Sequence, residues 1–199
     1  EWIELYNPGA DTVDLKNWRL ADESTIANPK TFAGTSLRIP SQHYVIITKD
    51  ASALALSYPL LSSPVVTMTS FPTLNQTGDL ILLTDSLSVT VDSVFYENTW
   101  GGANGFSIER ISATDDANSP NNWKTSEANA GATPGGMNST TPVALDLSIR
   151  TNDVWFDPPF PSPGQPVQIH MRIRNKGLQN ITNAAVVRVY NDINNDSIP

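Results

Sequence analysis

The sequence has no cysteine and only two histidines, His43 and His170. Without cysteine the chain can form no disulfide, no zinc–thiolate centre and no thiolate nucleophile. Two histidines also exclude a multi-histidine metal site. Basic residues are scarce as well: 12 Lys and Arg stand against 20 Asp and Glu, which gives a net charge of −8. Nucleic acid is held mainly by Lys and Arg, so this balance predicts no nucleic-acid partner.

Long apolar runs are absent too, because no stretch approaches the roughly 20 residues that a membrane-spanning helix requires. The chain does contain enough apolar material for a packed core, with 39% hydrophobic residues and five Trp in 199 residues. That length suits one large domain or two small ones. Composition alone therefore predicts a soluble protein with no membrane span, and it favours a protein that is not an enzyme.

Apolar residues alternate with polar ones along much of the chain, and no helical periodicity extends over a useful length. Alternation with a period of two, broken by Gly, Pro, Asn and Asp, indicates β-strands separated by turns. Residues 51–56 are a short stretch that favours a helical turn instead. Strands at this spacing are typical of a β-sandwich. The pattern predicts strands over residues 3–6, 14–20, 44–48, 64–69, 80–84, 89–96 and 106–111.

Residues 126–142 differ in composition from the rest, since Ser, Asn, Gly, Thr and Pro dominate there. Such a composition is typical of linkers. Beyond it the strand pattern restarts at residues 145–149 and 167–173, and residues 186–190 also favour a strand. The acidic excess lies entirely before residue 142, where 7 basic residues face 15 acidic ones.

We therefore expect an all-β chain of two tandem immunoglobulin-like β-sandwich domains. The first covers residues 1–136, a linker covers 137–142, and the second covers 143–199. Predicted strands lie close to both ends of the chain. This favours a fragment, or a mature piece, of a longer polypeptide, in which the second domain is incomplete.

Short motifs form an ordered series along residues 1–136. Together they resemble the lamin tail domain, an immunoglobulin-like β-sandwich that is also widespread in bacterial secreted and surface proteins. The family's opening strand, which normally precedes Trp2, has no counterpart here. The motifs are Glu1-Trp2-Ile3-Glu4-Leu5-Tyr6-Asn7-Pro8, Val13-Asp14-Leu15 with Trp18, Leu20 and Asp22, Leu37-Arg38-Ile39-Pro40, Tyr44-Val45-Ile46-Ile47, Leu74-Asn75, Gly78-Asp79-Leu80-Ile81-Leu82-Leu83, Val91-Asp92-Ser93-Val94-Phe95-Tyr96, Ser107-Ile108-Glu109-Arg110, Asn122-Trp123 and Thr133-Pro134-Gly135.

From residue 143 onward the motifs are shorter. They are similar to the bacterial cell-adhesion-related (CARDB) module, another immunoglobulin-like sandwich that usually has further strands. Neither resemblance implies an active site or a resident cofactor. The carrying residues are Leu145-Asp146-Leu147, Pro163-Gly164-Gln165-Pro166-Val167, Arg174-Asn175-Lys176-Gly177 and Val187-Arg188-Val189-Tyr190.

Two groups of residues are candidates for ligand contact. Asp192, Asn194 and Asp196 have the spacing that opens a calcium loop, in which alternating oxygen side chains surround Ca²⁺. Ser197 replaces the glycine that a complete EF-type loop requires, so an acidic turn explains the same residues. Trp100, beside two glycines, is a candidate for an exposed glycan or partner contact, and packing onto its own sheet is the alternative. Asp115-Asp116-Ala117-Asn118 is interpreted as a solvated turn.

The features together favour a non-catalytic extracellular structural or adhesion module of a bacterial surface or secreted protein. If the first sandwich has an open strand edge, that edge can pair with another chain, and strand exchange between copies would build a fibre. The alternative is an accessory module, carbohydrate-binding or partner-binding, of a larger secreted enzyme. Binding to DNA, as for nuclear lamins, is disfavoured by the net charge of −8.

Overall fold

The computed structural model describes residues 1–182 and 185–190. In this part of the chain the regular structure is mostly β-strand, with one short α-helix and three 3₁₀ helices. The chain divides into two compact units, Glu1–Thr141 and Pro142–Pro199.

The first unit contains eleven strands. They are β1 (Trp2–Tyr6), β2 (Val13–Asp14), β3 (Arg19–Ala21), β4 (Lys30–Thr31), β5 (Arg38–Ile39), β6 (Tyr44–Thr48), β7 (Val65–Thr67), β8 (Gly78–Thr84), β9 (Thr90–Glu97), β10 (Ile108–Arg110) and β11 (Trp123–Thr125). Its helices are α1 (Ala51–Ser57) and two 3₁₀ turns, Asn98–Trp100 and Pro120–Asn122.

Two sheets form the body of this unit. One has the strand order β1-β6-β7 and the other has the order β4-β3-β8-β9, while β2 pairs with β5 and β10 pairs with β11. All of these pairs are antiparallel except β6 with β7, which is parallel. An all-β architecture is therefore confirmed for this part of the chain.

The hydrophobic core lies between the inward faces of the two sheets. Val45 and Ile47 of β6 are fully buried there, beside Leu20 of β3 and Leu83 of β8. Ile46, on the opposite face of β6, is also fully buried. Because both faces of β6 are covered, its sequence is a continuous apolar run rather than an alternation. The predicted strand at 44–48 is confirmed.

Helix α1 follows strand β6 closely in the chain. Asp50 is its N-cap, and the Asp50 carboxylate accepts a hydrogen bond from the Ala53 N–H at 3.0 Å. A capping carboxylate satisfies an amide that has no partner within the helix. Leu54 is the buried residue of the helix. The helical turn predicted for residues 51–56 is confirmed.

The pairing of strand β9 does not follow the simple alternation of apolar and polar residues in its sequence. The pattern places Val89, Val91 and Phe95 on one face, but the pairing with β8 is irregular between Leu83 and Thr84. A bulge inserts an extra residue and changes the phase of the strand. All three apolar residues are exposed, with Phe95 46% accessible.

Residues 126–141 lie within the first unit. The sequence predicts a linker at 137–142, whereas Asn138 Nδ2 donates to the carbonyl of Arg110 at 2.9 Å and Ser139 Oγ donates to Glu109 at 2.7 Å. Small polar residues are common in linkers, but their hydroxyl and amide groups also bond well to a neighbouring strand. Most of this segment is therefore anchored to β10.

The second unit has four short strands in its described residues. They are β12 (Leu147–Ser148), β13 (Val154–Asp157), β14 (Gln168–Met171) and β15 (Arg174–Asn175), with a 3₁₀ turn at Thr151–Asp153. β12 pairs with β15 and β13 pairs with β14, both antiparallel. The strand predicted at 186–190 is wrong for this structure, since these residues are exposed and form no ladder with the described part of the chain.

Candidate functional site

The outer edge of β1 is an unpaired backbone edge of the first unit. β1 is the end strand of its sheet, and the pairing register with β6 joins Leu5 to Val45 and Glu4 to Ile46. The N–H of Ile46 turns away from β1 and donates to Pro64. In an antiparallel ladder alternate residues bond to the partner strand, so Ile3 and Leu5 bond to β6. Trp2, Glu4 and Tyr6 therefore direct their N–H and C=O groups outward.

These outward groups have no hydrogen-bond partner within the described residues, 1–182 and 185–190. The edge thus offers three N–H donors and three C=O acceptors, spaced as they are in a β-ladder. Unpaired edges of this kind are templates for an additional strand. Tyr6 is 38% accessible and its ring is stacked on Tyr44 with the centroids 4.8 Å apart. We call this surface, formed by Trp2, Glu4 and Tyr6, the β1 edge.

Glu4 brings a carboxylate to the centre of the β1 edge. Its Oε2 accepts a hydrogen bond from the N–H of Gly135 at 2.5 Å. Burial raises the pKa of Glu4 to about 7, the bond from Gly135 opposes that shift, and the charge of Glu109 adds to it. A buried carboxyl with no cationic partner holds its proton more tightly. Glu4 forms no ion pair with any residue that the structure describes.

Glu109 of β10 is buried, and hydroxyl groups surround its carboxylate. Thr133 donates to Oε1 at 2.9 Å and Ser139 donates to Oε2 at 2.7 Å, with Ser107 farther away at 3.4 Å. These bonds satisfy the carboxylate where water cannot reach it. Glu4 and Glu109 therefore anchor the segment 133–139 to the sheet rather than forming an exposed acid–base pair.

The outer edge of β9 is the counterpart of the β1 edge, but it is occupied. The Asn118 Oδ1 accepts a hydrogen bond from the Phe95 N–H at 2.8 Å, and Asn118 Nδ2 donates to the Ser93 carbonyl at 3.1 Å. We call these two bonds the Asn118 bridge. A primary amide carries a donor and an acceptor in one plane, so it takes the place of a peptide group from a neighbouring strand. Further strands are thereby kept from this part of β9.

A second contact holds the same loop to β9. Arg110 forms an ion pair with Asp92 at 3.0 Å and donates to the carbonyl of Asp115 at 2.6 Å. The segment Asp115-Asp116-Ala117-Asn118, interpreted from sequence as a solvated turn, thus covers a sheet edge, and Ala117 is buried. The dense run of turn-forming residues identified the loop, but nothing in the sequence indicated which strand it would reach.

Trp100 ends the 3₁₀ turn Asn98–Trp100 and is half-buried. Its ring packs against Trp123 with centroids 6.3 Å apart and a tilt of 32°. The indole N–H of Trp123 donates to the carbonyl of Ala117 at 2.7 Å. Trp100 therefore packs against an aromatic ring of its own domain, which is the alternative to an exposed glycan or partner contact.

The second unit carries an aromatic and cationic cluster on one face of the β13–β14 pair. Trp155 and His170 lie opposite each other in the ladder, with parallel rings 5.2 Å apart. The guanidinium of Arg172 lies 5.9 Å from the centroid of Trp155. Nearby, Arg174 pairs with Asp153, which lowers the pKa of Asp153 to about 2.

The calcium prediction concerns residues that the structure does not describe, because Asp192, Asn194 and Asp196 lie outside residues 1–182 and 185–190. Calcium binding there stays a prediction. Among the described residues, no group of three or more His, Cys, Asp or Glu is arranged to hold a metal ion. None of the helices in these ranges has the length and apolar character needed to cross a bilayer.

The two sheets, the core between them and the open strand edge define a β-sandwich module suited to protein interaction. Residues 1–98 match the family model described as Lamin Tail Domain, an immunoglobulin-like fold, which confirms the resemblance for that part of the chain. Comparison with curated proteins and with solved structures gives no match. The resemblance of residues 143–199 to the cell-adhesion-related module stays a prediction. A lamin tail domain indicates a structural or interaction module rather than a catalytic one.

Proposed function

We propose that this protein is a non-catalytic structural or adhesion module that works outside the cell and binds a protein partner through the β1 edge. The partner adds a β-strand there, and a second copy of the chain is the partner we favour. Repeated strand addition would make the protein a fibre subunit. The unpaired backbone of Trp2, Glu4 and Tyr6 is the observation that carries this proposal.

The contrast between the two long end strands of the first unit supports it. β9 is bridged by Asn118 and by the Arg110–Asp92 ion pair, while β1 has no such cover within the described residues. Proteins usually protect edges that are not used for pairing. A protein that accepts a partner strand at one edge only needs its other edge to be protected. In the first unit the β1 edge is open and the edge of β9 is protected.

Composition supports the extracellular part of the proposal. A chain with no cysteine is insensitive to the redox state of its surroundings, and a charge of −8 keeps its surface hydrated. Residues 1–98 match the Lamin Tail Domain family, and the widespread use of this domain in bacterial secreted and surface proteins supports the same setting.

The test compares two substitutions of one residue. Tyr6→Pro removes the outward N–H of the β1 edge and places a ring where a partner strand would lie, yet it breaks no bond to β6. Tyr6→Ala removes the same phenol ring but keeps the N–H. Size-exclusion chromatography with light scattering, over a range of protein concentrations, reports association. We expect the wild-type chain and Tyr6→Ala to associate and Tyr6→Pro to stay monomeric.

Electron microscopy of the protein from its native source supplies the second readout. Regular filaments with a repeat of a few nanometres are the expected result. A wild-type chain that is monomeric at every concentration, and that gives dispersed particles from its native source, would overturn the proposal.

The accessory-module alternative can be checked on Trp100. Titration with cell-wall polysaccharides should leave the tryptophan fluorescence unchanged, because Trp100 is half-buried and packs against Trp123. A saturable change that Trp100→Ala abolishes would favour a carbohydrate-binding module instead.

A further inference from the structure

Residues 186–190 of the second unit have the composition of a strand but no strand partner. The sequence Val-Val-Arg-Val-Tyr is rich in β-branched and aromatic residues, which favour strands. All five residues are exposed, with Val186 75% accessible. None forms a backbone hydrogen bond with the part of the chain that the structure describes. This segment is therefore a candidate donor strand.

The pattern of residues 186–190 complements that of β1 when the two are written antiparallel. In that register Arg188 lies opposite Glu4, and Val187 and Val189 lie opposite Leu5 and Ile3. Directly opposed side chains share one face of a sheet and interact in pairs. Leu5 and Ile3 pack against the core of the first sandwich, so the two valines would extend that core.

The remaining pairs fall on the opposite face of β1. Tyr190 would lie beside Trp2, and Val186 beside the Tyr6 ring. Contacts of aromatic residues with aromatic or β-branched residues are among the favourable cross-strand pairs. A shift by one residue would place both valines on the outer face and Arg188 over the core, so the face that each side chain takes is well specified.

Charge adds to this complementarity at one position. Glu4 and Glu109 are close enough for their charges to repel, and neither has a cationic partner among the described residues. Arg188 would supply a guanidinium to Glu4, because opposite charges facing each other across two strands attract. No other position in residues 186–190 carries a charge.

We propose that residues 186–190 of a second copy of this chain add as an antiparallel strand to the β1 edge, with Arg188 opposite Glu4. This inference rests on the proposed function, since it names the strand that the β1 edge accepts. Each chain then carries an acceptor edge in its first unit and a donor strand in its second. Head-to-tail contacts of this kind build open chains when the geometry does not close into a ring.

The absence of native cysteine gives a direct test of the register. Two full-length single-cysteine variants, Tyr6→Cys and Val186→Cys, are mixed and oxidised, and the linked peptides are identified by mass spectrometry. Opposed residues of a hydrogen-bonded antiparallel pair have Cα atoms about 5.5 Å apart, within the range of a disulfide. We expect the mixed disulfide to be the main product.

The matched control mixes Trp2→Cys with Val186→Cys. In the proposed register Tyr190 lies opposite Trp2, so residue 186 is four residues away from that position. This offset is about 13 Å along the strand, which is too far for a disulfide. We expect little cross-linking from this pair. Preferential linking of Trp2→Cys to Val186→Cys would mean parallel addition and would overturn the register.

A double variant that carries Tyr6→Cys and Val186→Cys in one chain tests the source of the strand. We expect it to form linked oligomers. A disulfide closed within a monomer would overturn the second copy as donor.

Failure of this inference can be told apart from failure of the proposed function. If Tyr6→Pro abolishes association but no disulfide links Tyr6→Cys to Val186→Cys, the β1 edge accepts a strand other than residues 186–190. If the wild-type chain and Tyr6→Pro are both monomeric, the proposed function itself fails.

Arg188→Glu and Arg188→Gln provide a second measurement, because Arg188 is exposed and its replacement leaves the fold intact. The Coulombic gain of pairing Arg188 with the largely buried Glu4 carboxylate is offset in part by desolvation, so we expect Arg188→Gln to weaken association by about two- to fivefold and Arg188→Glu to weaken it further. Equal association of both variants and the wild-type chain would contradict the position of Arg188 opposite Glu4.

Discussion

Asn118 accepts a hydrogen bond from the backbone N–H of Phe95 at 2.8 Å, across 23 residues of sequence. The same side chain donates to the carbonyl of Ser93, so one amide satisfies a donor and an acceptor of the outer edge of β9. Val91 and Phe95 of that strand are exposed. An apolar strand with a bare edge is an aggregation site, and the Asn118 bridge removes the bare edge.

Replacing Asn118 with alanine should uncover the β9 edge. Each lost hydrogen bond contributes modestly at an exposed site, so the free energy of unfolding should fall by about 1–2 kcal/mol. Urea unfolding measures this loss, and light scattering should show new association that Tyr6→Pro does not suppress.

Asn118→Asp is the matched control for the bridge. Its carboxylate still accepts from Phe95 but cannot donate to Ser93. We expect an intermediate loss of stability. Equal stability of the wild-type chain and Asn118→Ala would show that the bridge does not stabilise the edge.

Glu4 should make the stability of the first unit depend on pH. Its pKa is raised from 4.5 to about 7 in the folded state, so the folded chain holds the proton more tightly than the unfolded chain. The contribution of Glu4 is therefore complete below about pH 4.5 and is lost as the pH rises through about 7. Glu4→Gln removes the ionisation and keeps an acceptor for the Gly135 N–H. At about pH 8 we expect it to raise the free energy of unfolding by roughly 1–3 kcal/mol.

Glu23→Gln is the control for that experiment, because it makes the same charge change at an exposed position. Unfolding by urea at several pH values should show a smaller pH dependence for Glu4→Gln than for Glu23→Gln. If both variants follow the wild-type pH profile, the carboxyl of Glu4 ionises normally in the folded chain.

The parts of the fold that could be predicted are those with a long, uninterrupted signal. β6 was predicted with both of its ends, because five consecutive residues fit a buried strand and turn residues flank them. β8 and β9 were predicted to within a few residues for the same reason. The strands β2, β4 and β5 have two residues each, too few for an alternation to be visible.

The candidate site was only partly predictable. The sequence indicates that β1 is a strand, and the lamin tail resemblance raises an open edge as an expectation, but only the pairing register shows that Trp2, Glu4 and Tyr6 direct their backbone groups outward. The Asn118 bridge could not be predicted, since it joins residues that are distant in sequence through one side chain. Burial of Glu4 likewise depends on Gly135, 131 residues away.

Gly78 should be sensitive to a single added methyl group. Its φ is +144°, and a Cβ there would lie 2.6 Å from the carbonyl oxygen of Tyr96, a backbone atom that cannot move without disturbing the β8–β9 ladder. We expect Gly78→Ala to lower the free energy of unfolding by about 2–4 kcal/mol. Gly105→Ala is the control, because φ is +83° there but no atom lies within 4 Å of the added carbon. Gly105→Ala should lower the free energy of unfolding by only about 1 kcal/mol, from backbone strain alone. Urea unfolding that gives equal losses for both variants would contradict the close contact.

The Asp153–Arg174 ion pair should control the local stability of the second unit. Arg174 donates to both carboxylate oxygens of Asp153, at 3.0 and 2.5 Å, and this hydrogen bonding lowers the pKa of Asp153 to about 2. Because the folded-state pKa lies below the ordinary 3.8, the stabilisation is present above about pH 4 and is lost as the pH falls towards 2. The Asp153 carboxylate also accepts from the Arg150 N–H, so it ties the 3₁₀ turn to β15.

Asp153→Asn keeps the size of the side chain but removes the charge. We expect faster amide hydrogen exchange near pH 6 in peptides covering residues 150–175, and unchanged exchange in peptides from the first unit. Asp157→Asn is the matched control, because Asp157 lies at the exposed end of β13 and has no ion pair with a described residue. Equal exchange rates in Asp153→Asn and Asp157→Asn would show that the ion pair does not hold the second unit together.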